Sequence, residues 1–263
     1  MRVLPIPCLT DNYAYLLVCD ETHEAAIVDA SEAEPIARAI ECELGEARIV
    51  AILSTHHHHD HVGGNAALAE RFGISRVYGH ASDGGRLPAQ TAFLDEGDTF
   101  RVGHIDVRAM HVPGHTCGAI TYVATGPGAP AAAFTGDTLF IAGAGRLFEG
   151  DPEMMHASMT RLASLEVETR IYCGHEYTEA NLRFAEHVEK NNPDVAAAQA
   201  RAAELRRHGH PTVGTTIADE RRYNPFLRVD SAEIRASLGI PKDASPAEAF
   251  GAIRAAKNVF SSA

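Results

Sequence analysis

Residues 54–64 read Ser-Thr-His-His-His-His-Asp-His-Val-Gly-Gly, so five imidazoles and one carboxylate share one short stretch. Imidazole and carboxylate are borderline ligands that suit zinc, iron or manganese, and the chemistry within reach is that of a bound divalent ion. A strand-like apolar run (48–54) leads into the stretch and a helix-forming run (65–72) leads out, so the histidines sit at a strand-to-helix turn. In an extended exit from a strand, side chains alternate: His56 and His58 face one way, His57 and His59 the other. Asp60 and His61 begin the turn, where alternation lapses. A two-ion site would then take His56 and His58 on one ion and Asp60 and His61 on the other. The bland alternatives are a purification tag, which would sit at a terminus, and a solvated polar loop.

Four ligands do not close two four-coordinate sites. Three further motifs each present a metal-compatible side chain just beyond a strand-like run and next to glycine. They are Val112-Pro113-Gly114-His115-Thr116, Phe134-Thr135-Gly136-Asp137-Thr138 and Ile171-Tyr172-Cys173-Gly174-His175-Glu176. Glycine lets backbone approach an ion cluster closely. Any one of these alone reads as a turn residue; beside the histidine run, His115, Asp137 and His175 read as ligands. Cys117, two residues after His115, is expected to be an ordinary thiol. The remaining histidines are expected at the surface or in packing roles. No Ser-His-Asp arrangement competes as a nucleophile.

The elements that must position these residues are short strands mixed with helices. Runs 13–19, 25–29, 48–54, 121–124, 132–135 and 170–173 read as strands, and Ile105, Val107 and Ala109 alternate with Asp106 and Arg108. Ser31 with Glu34 has capping-box spacing before Ile36, Ile40 and Leu44, and 152–165 carries Met155, Met159 and Leu162 at helical spacing. After about residue 175 helices take over: 178–190, 194–208 beyond the Asn191-Asn192-Pro193 breaker, 231–238, and 245–257 opening on Ser245, Pro246 and Glu248. The fold class is α/β. The chain divides into a metal-binding domain, 1–173, and a mostly helical domain, 174–263.

Composition narrows the partners. The chain has 263 residues, 45% hydrophobic and 22% charged, which suits a globular protein with a sizeable core. A net charge of -12 disfavours nucleic acid and anionic membrane. No apolar run is long enough to span a bilayer and the first residues do not resemble a signal peptide. Five scattered cysteines form no CxxC pair, so a reducing, cytoplasmic location is expected.

The stretch 55–61, Thr-His-x-His-x-Asp-His, resembles the signature of the metallo-β-lactamase superfamily. Motifs similar to one of its families, glyoxalase II (hydroxyacylglutathione hydrolase), run nearly end to end: 55–65, 113–118, 134–150, 172–177, 223–228 and 254–257. The superfamily signature speaks only for fold and metal. Gly-Asp-Thr-Leu-Phe (136–140), Gly-Arg-Leu-Phe-Glu-Gly (145–150), Cys-Gly-His-Glu-Tyr-Thr (173–178) and Tyr-Asn-Pro-Phe (223–226) carry the narrower likeness.

The resemblance implies an αββα sandwich of metallo-β-lactamase type with a C-terminal helical domain that binds substrate. It places His56, His58 and His115 on one divalent ion, Asp60, His61 and His175 on the second, and Asp137 on both. Zinc is the expected metal, with iron and manganese compatible with the same ligands. Asp60 and Asp137 would also orient the hydroxide shared by the ions, and Asp29, matching the superfamily's first-motif aspartate, would support a ligand from behind. Arg254 and Lys257 match the basic pair that holds the glycine carboxylate of glutathione; Arg146 and Tyr177 match further binding positions. The ordinary alternative for Arg254 and Lys257 is two cations favoured by a helix C-terminus. Phe148 stands where some members carry a tyrosine that contacts glutathione.

The implied reaction is hydrolysis of S-D-lactoylglutathione to glutathione and D-lactate, a step of methylglyoxal detoxification; a monomer is expected, though no residue pattern speaks to oligomeric state. A thiolate, with a thiol pKa near 8.5, leaves without a dedicated general acid. Three rivals share parts of the pattern: a mononuclear iron persulfide dioxygenase, a hydrolase of lactones, β-lactams or phosphodiesters on the same fold, and a protein that merely binds metal.

Overall fold

Alternating apolar residues and β-branched runs make the first half of the chain a succession of short strands. The computed structural model describes residues 1–45 and 47–260. The chain forms two compact units, one of Met1–Val112 with Gly118–Gly136, the other of Pro113–Cys117 with Asp137 onward.

The first unit holds β1 (Arg2–Cys8), β2 (Asn12–Cys19), β3 (Glu24–Val28), α1 (Ala33–Glu43), β4 (Arg48–Leu53), α2 (His59–Val62), α3 (Asn65–Phe72), β5 (Val77–His80), β6 (Ala92–Leu94), β7 (Thr99–Val102), β8 (Ile105–His111), β9 (Ile120–Thr125) and β10 (Ala132–Gly136). Strands β1 to β6 form one sheet in sequence order, antiparallel through β3 and parallel from β3 to β6. Strands β7 to β10 pair antiparallel as successive neighbours, with His111 opposite Ile120 and Ala132 opposite Ala124. Ile36 and Ile40 of α1 and Leu68 of α3 bury against Leu16, Val18 and Ile27 on one face of the first sheet. On its other face Tyr15 meets Phe134 (ring centroids 5.5 Å) and Tyr78 stacks on Phe100 (4.2 Å). The unit is therefore layered helix on sheet on sheet. Tyr15 and Phe134 are each 1% exposed, and burial of side chains this size contributes about 2–3 kcal/mol apiece.

The second unit holds β11 (Leu139–Phe140), β12 (Gly143–Ala144), α4 (Pro152–Ala163), β13 (Arg170–Cys173), α5 (Thr178–Val188), α6 (Pro193–Arg207), β14 (Thr215–Thr216), α7 (Ile217–Tyr223), α8 (Ala232–Ser237) and α9 (Pro246–Val259). β11 and β12 make a two-rung hairpin, with Leu139 opposite Ala144 and Phe140 opposite Gly143. Asn192 caps α6 by accepting from the Asp194 amide, so Pro193 starts this helix as well as separating it from α5. Ser245 and Glu248 make the expected capping box on α9. Its core runs through Phe184, Phe226 and Phe250, whose rings meet in sequence at 6.4 and 5.3 Å.

Two local expectations fail. Ser31 and Glu34 form no capping box: α1 is preceded by Glu32, with no side-chain cap, because the chain turns sharply at Asp29 (φ 52°) and Ser31 bonds back to the Asp29 carbonyl. For the same reason the strand over 25–29 ends at Val28, and Asp29 stands beyond it in the left-handed region. Strand β1 went unforeseen because Pro5 and Pro7 lie in it; they are tolerated on an edge strand, where alternate amides face away from the ladder. Among the described residues no helix is long and apolar enough to cross a membrane.

Candidate metal centre

In the first unit β4 delivers the chain to Ser54 and Thr55, and Ile120 fixes it there by donating its amide to the Thr55 carbonyl (2.8 Å). Asp29 lies behind this turn, 2% exposed. Its Oδ1 accepts from the Thr55 amide (2.8 Å), and its Oδ2 accepts from the Thr55 hydroxyl (2.8 Å) and lies 3.0 Å from His61 Nδ1. A carboxylate only accepts, so His61 carries its proton on Nδ1 and turns the Nε2 lone pair outward. The Thr55 hydroxyl has spent its one proton on Asp29, so it accepts from His56 Nδ1 at 3.0 Å and His56 too exposes a bare Nε2. Helix α2 is a single turn and carries Asp60 and His61; the Asn12 side chain donates to the Asp60 carbonyl (3.1 Å) and carboxylate (3.0 Å). Gly63 and Gly64 allow the turn to lie against residues 30–33: a Cβ on Gly64 would stand 2.9 Å from the Ala30 carbonyl oxygen.

The other two histidines of the run behave as their alternation predicts. His57 pairs with buried Asp83 (3.2 Å) and with Arg86, and His59 is exposed. His56 Nε2 and His58 Nδ1 are 3.0 Å apart, Asp60 Oδ2 and His61 Nε2 3.6 Å, and the ligand atoms of His56 and His61 lie within 4.8 Å.

The second unit gathers the other three. Gly136 ends β10 (φ 47°), and Asp137 follows it at the start of this unit. Asp137 Oδ2 lies 3.5 Å from His115 Nε2 and 3.3 Å from His175 Nε2. His115 Nδ1 donates to the Arg146 carbonyl (2.8 Å), so its Nε2 is again the bare nitrogen. Gly145 permits the approach: a Cβ there would be 1.9 Å from the Asp137 carbonyl oxygen and 3.1 Å from His115 Nδ1. Tyr177 stacks flat on His175 (4.7 Å, 4°), and Phe148, 63% exposed, sets its ring edgewise to His115 at 5.2 Å. Cys117 is exposed and donates its amide to Glu149.

Two donors on one tetrahedral ion, each about 2.0–2.1 Å from it, stand about 3.3 Å apart. The separations of 3.0 to 3.6 Å within each unit match that edge. With the Nε2 lone pairs of His56, His61 and His115 turned outward and carboxylates among them, the donor set fits a divalent ion.

Arg146, Arg254 and Lys257 all lie in the second unit. Arg254, 6% exposed, donates to the Ala144 carbonyl (2.7 Å) and Asn258 (2.9 Å) and lies over Phe226; Lys257 donates to the Ala180 carbonyl (2.9 Å). Burial, then the charge of Arg146, pulls the Arg254 pKa down to about 10. Burial, then the charges of Arg254, Arg183 and Arg146, pulls Lys257 down to about 8. Lys257 lies in the last turn of α9, yet the carbonyls that the two side chains bond, those of Ala144 and Ala180, belong to other elements of the unit. Sequence reasoning placed Thr55 in the signature without giving it a role, and missed Asn12, Asp83 and Arg86, which support Asp60 and His57. No motif spacing marks these last three, since their partners lie 26 to 48 residues away.

Residues 10–175 match the family described as metallo-beta-lactamase superfamily, and residues 176–260 match hydroxyacylglutathione hydrolase C-terminus. A hydroxyacylglutathione hydrolase of Synechococcus sp. (strain JA-2-3B'a(2-13)) is 48% identical over 99% of this chain and 100% of its own. Among solved structures, ETHE1 from Myxococcus xanthus is similar at TM-score 0.64 and 25% identity, over 98% of both chains. TTHA1623 in a di-iron-bound form is similar at TM-score 0.58 and 28% identity, over 86% of this chain and 100% of its own. The fold is that of the metallo-β-lactamase superfamily.

Proposed function

Because the chain belongs to the hydroxyacylglutathione hydrolase family of the metallo-β-lactamase superfamily, we propose that it hydrolyses S-(2-hydroxyacyl)glutathione, S-D-lactoylglutathione in the first place, to glutathione and a 2-hydroxy acid. His56, His58 and His115 are assigned to one ion, Asp60, His61 and His175 to the other, and Asp137 to both; the donor separations within each unit support the assignment. When bound, two divalent ions would lower the pKa of a water between them and polarise the thioester carbonyl. Zinc is proposed, the donor set being equally open to iron and manganese.

The protein's own residues supply orientation and binding. Asp29 keeps the His61 proton on Nδ1, and the Arg146 carbonyl does the same for His115. Asp60, held by Asn12, and Asp137 are assigned to orient the attacking oxygen. The departing thiolate needs no proton donor. Arg254 and Lys257 are assigned to the glycine carboxylate, with Arg146 and Tyr177 along the peptide. The observation that carries the choice of substrate is the pair Arg254 and Lys257, the first buried and the second half-buried, mutually repelling, and without a carboxylate partner among the described residues, with the exposed Arg146 adding its charge. Such a group is built for an incoming anion.

A division of labour at 173/174, a monomeric state and a reducing, cytoplasmic setting belong to the same proposal, the last supported by five free cysteines. The test is S-D-lactoylglutathione hydrolysis, followed by thiol release, with metal analysis of the same preparation. Two ions per chain and turnover that collapses by orders of magnitude in Asp137→Ala are expected. An intact thioester would overturn the proposal; one iron per chain with oxygen uptake on a glutathione persulfide would select the dioxygenase.

A further inference from the structure

Glu220 of α7 is wholly buried, is no candidate ligand, and holds four donors. Its Oε2 accepts from the Ala142 amide (2.8 Å) and the Asn224 side-chain amide (2.9 Å). Its Oε1 accepts from the hydroxyls of Thr215 (2.9 Å) and Tyr223 (2.8 Å). Burial pushes the carboxyl up to about 7 even with these four bonds. A buried carboxylate is costly unless its bonds do something an apolar side chain does not.

What it holds is the turn between β11 and β12. Ala142 lies at that turn with φ 55°, a conformation that costs a non-glycine residue energy unless its surroundings hold it. Asn224 donates to the Glu220 carboxylate and to the carbonyls of Phe140 (3.2 Å) and Gly143 (3.0 Å), the facing pair of the hairpin. The legs of that hairpin lead to the ligands. Asp137 precedes Leu139 by two residues; beyond Ala144, Gly145 donates to the Thr138 carbonyl (3.1 Å) and packs on Asp137, and the Arg146 carbonyl orients His115.

We propose that Glu220 is a positioning residue that, through Ala142 and Asn224, sets the 139–144 hairpin and thereby the angle at which Asp137 and His115 meet a divalent ion. This rests on the assignment of those two residues as ligands. The four donors differ in kind. Those on Oε2 are N–H groups fixed in direction, whereas those on Oε1 are hydroxyls that can rotate and accept. A glutamine can therefore turn its oxygen to Ala142 and Asn224 and its NH2 to the two hydroxyls. Alanine keeps none of the four bonds.

The full-length chain, E220A and E220Q are compared for zinc affinity by competition with a chromophoric chelator, with folding checked by circular dichroism and thermal midpoint. Hydrogen exchange at the Ala142 amide is followed alongside. E220A is expected to bind zinc about 10-fold or more weakly and to exchange faster at Ala142, with kcat falling in step; E220Q is expected within about threefold of the parent. A folded E220A with parental zinc affinity overturns the proposal, as does an E220Q as weak as E220A. Should E220A fail to fold, Asn224→Ala takes its place, since it removes the NH2 that donates to the hairpin's carbonyls and leaves Glu220; unchanged zinc affinity there overturns the proposal equally. A parental chain that takes up no zinc instead overturns the ligand assignment beneath it, and is seen before any substitution is made.

Discussion

Lys257→Met separates recognition of the peptide from chemistry at the ions. The ammonium lies over Phe184 (5.5 Å) and Phe260 (5.6 Å), so methionine keeps the stem's packing and deletes the charge. A hydrogen bond to a charged group contributes about 1.5–3 kcal/mol. For a half-buried lysine, solvent screening reduces this to about 1–2 kcal/mol, or roughly 5- to 30-fold in affinity. The non-reacting thioether S-methylglutathione, titrated calorimetrically, reads that loss directly. Its Kd at about pH 7 should rise by that factor, while kcat on the thioester changes little. The pH dependence supplies an independent sign. With its pKa pulled down to about 8, Lys257 is charged below that pH and neutral above it. The ratio of parental to variant affinity should thus be full near neutrality and shrink as pH rises through about 8, levelling once the ligand-bound lysine itself titrates. Taking the ratio cancels the ionisation of the ligand's own amine. A ratio under about twofold at neutrality, or one that holds steady to about pH 9.5, would refute a role for this ammonium in holding a carboxylate.

Asp29→Ala strips the acceptor from the Thr55 amide, the Thr55 hydroxyl and His61 Nδ1 at once. Zinc affinity should fall about 10- to 100-fold in chelator competition, with a lower thermal midpoint; unchanged affinity would show that His61 needs no such support. Gly145→Ala drives a methyl group into the Asp137 carbonyl, where a Cβ would stand 1.9 Å away. It should cost about 1–3 kcal/mol in urea unfolding and weaken zinc binding together; parental values for both would mean that the 137–146 segment yields easily.

The chemistry was legible wherever it is local. Residues 54–64 announce a metal site because their ligands follow one another, and period-two alternation marks β8 because its register exposes one face and buries the other. The α/β class followed from such runs, and the motifs from 55–65 to 254–257 pointed to the family. What stayed hidden is tertiary. Asp83 and Asn12 have no sequence relation to His57 and Asp60, and Glu220 looks like any carboxylate on a charged helix until its burial is seen. The Ser31–Glu34 spacing misled for a definite reason: a cap needs extended backbone immediately before the helix, and the left-handed Asp29 shifted the start of α1 past Ser31. Asp29 therefore spoils the local helix signal by turning toward Thr55 and His61.

The second compact unit takes in Pro113–Cys117 and everything from Asp137, although the recognised sequence families change at 175/176. A shuffling event, or a protein engineer, that exchanged tails at that boundary would cut through one folded body: His115, Asp137 and His175 would stay with one parent while α5 to α9, including the Glu220 clamp, came from the other. Heritable variation in the helical tail is thus coupled to the candidate ligands that share its folded unit. Chimeras joined there should be judged first on whether they still hold metal, before any difference in acyl preference is credited to the new tail.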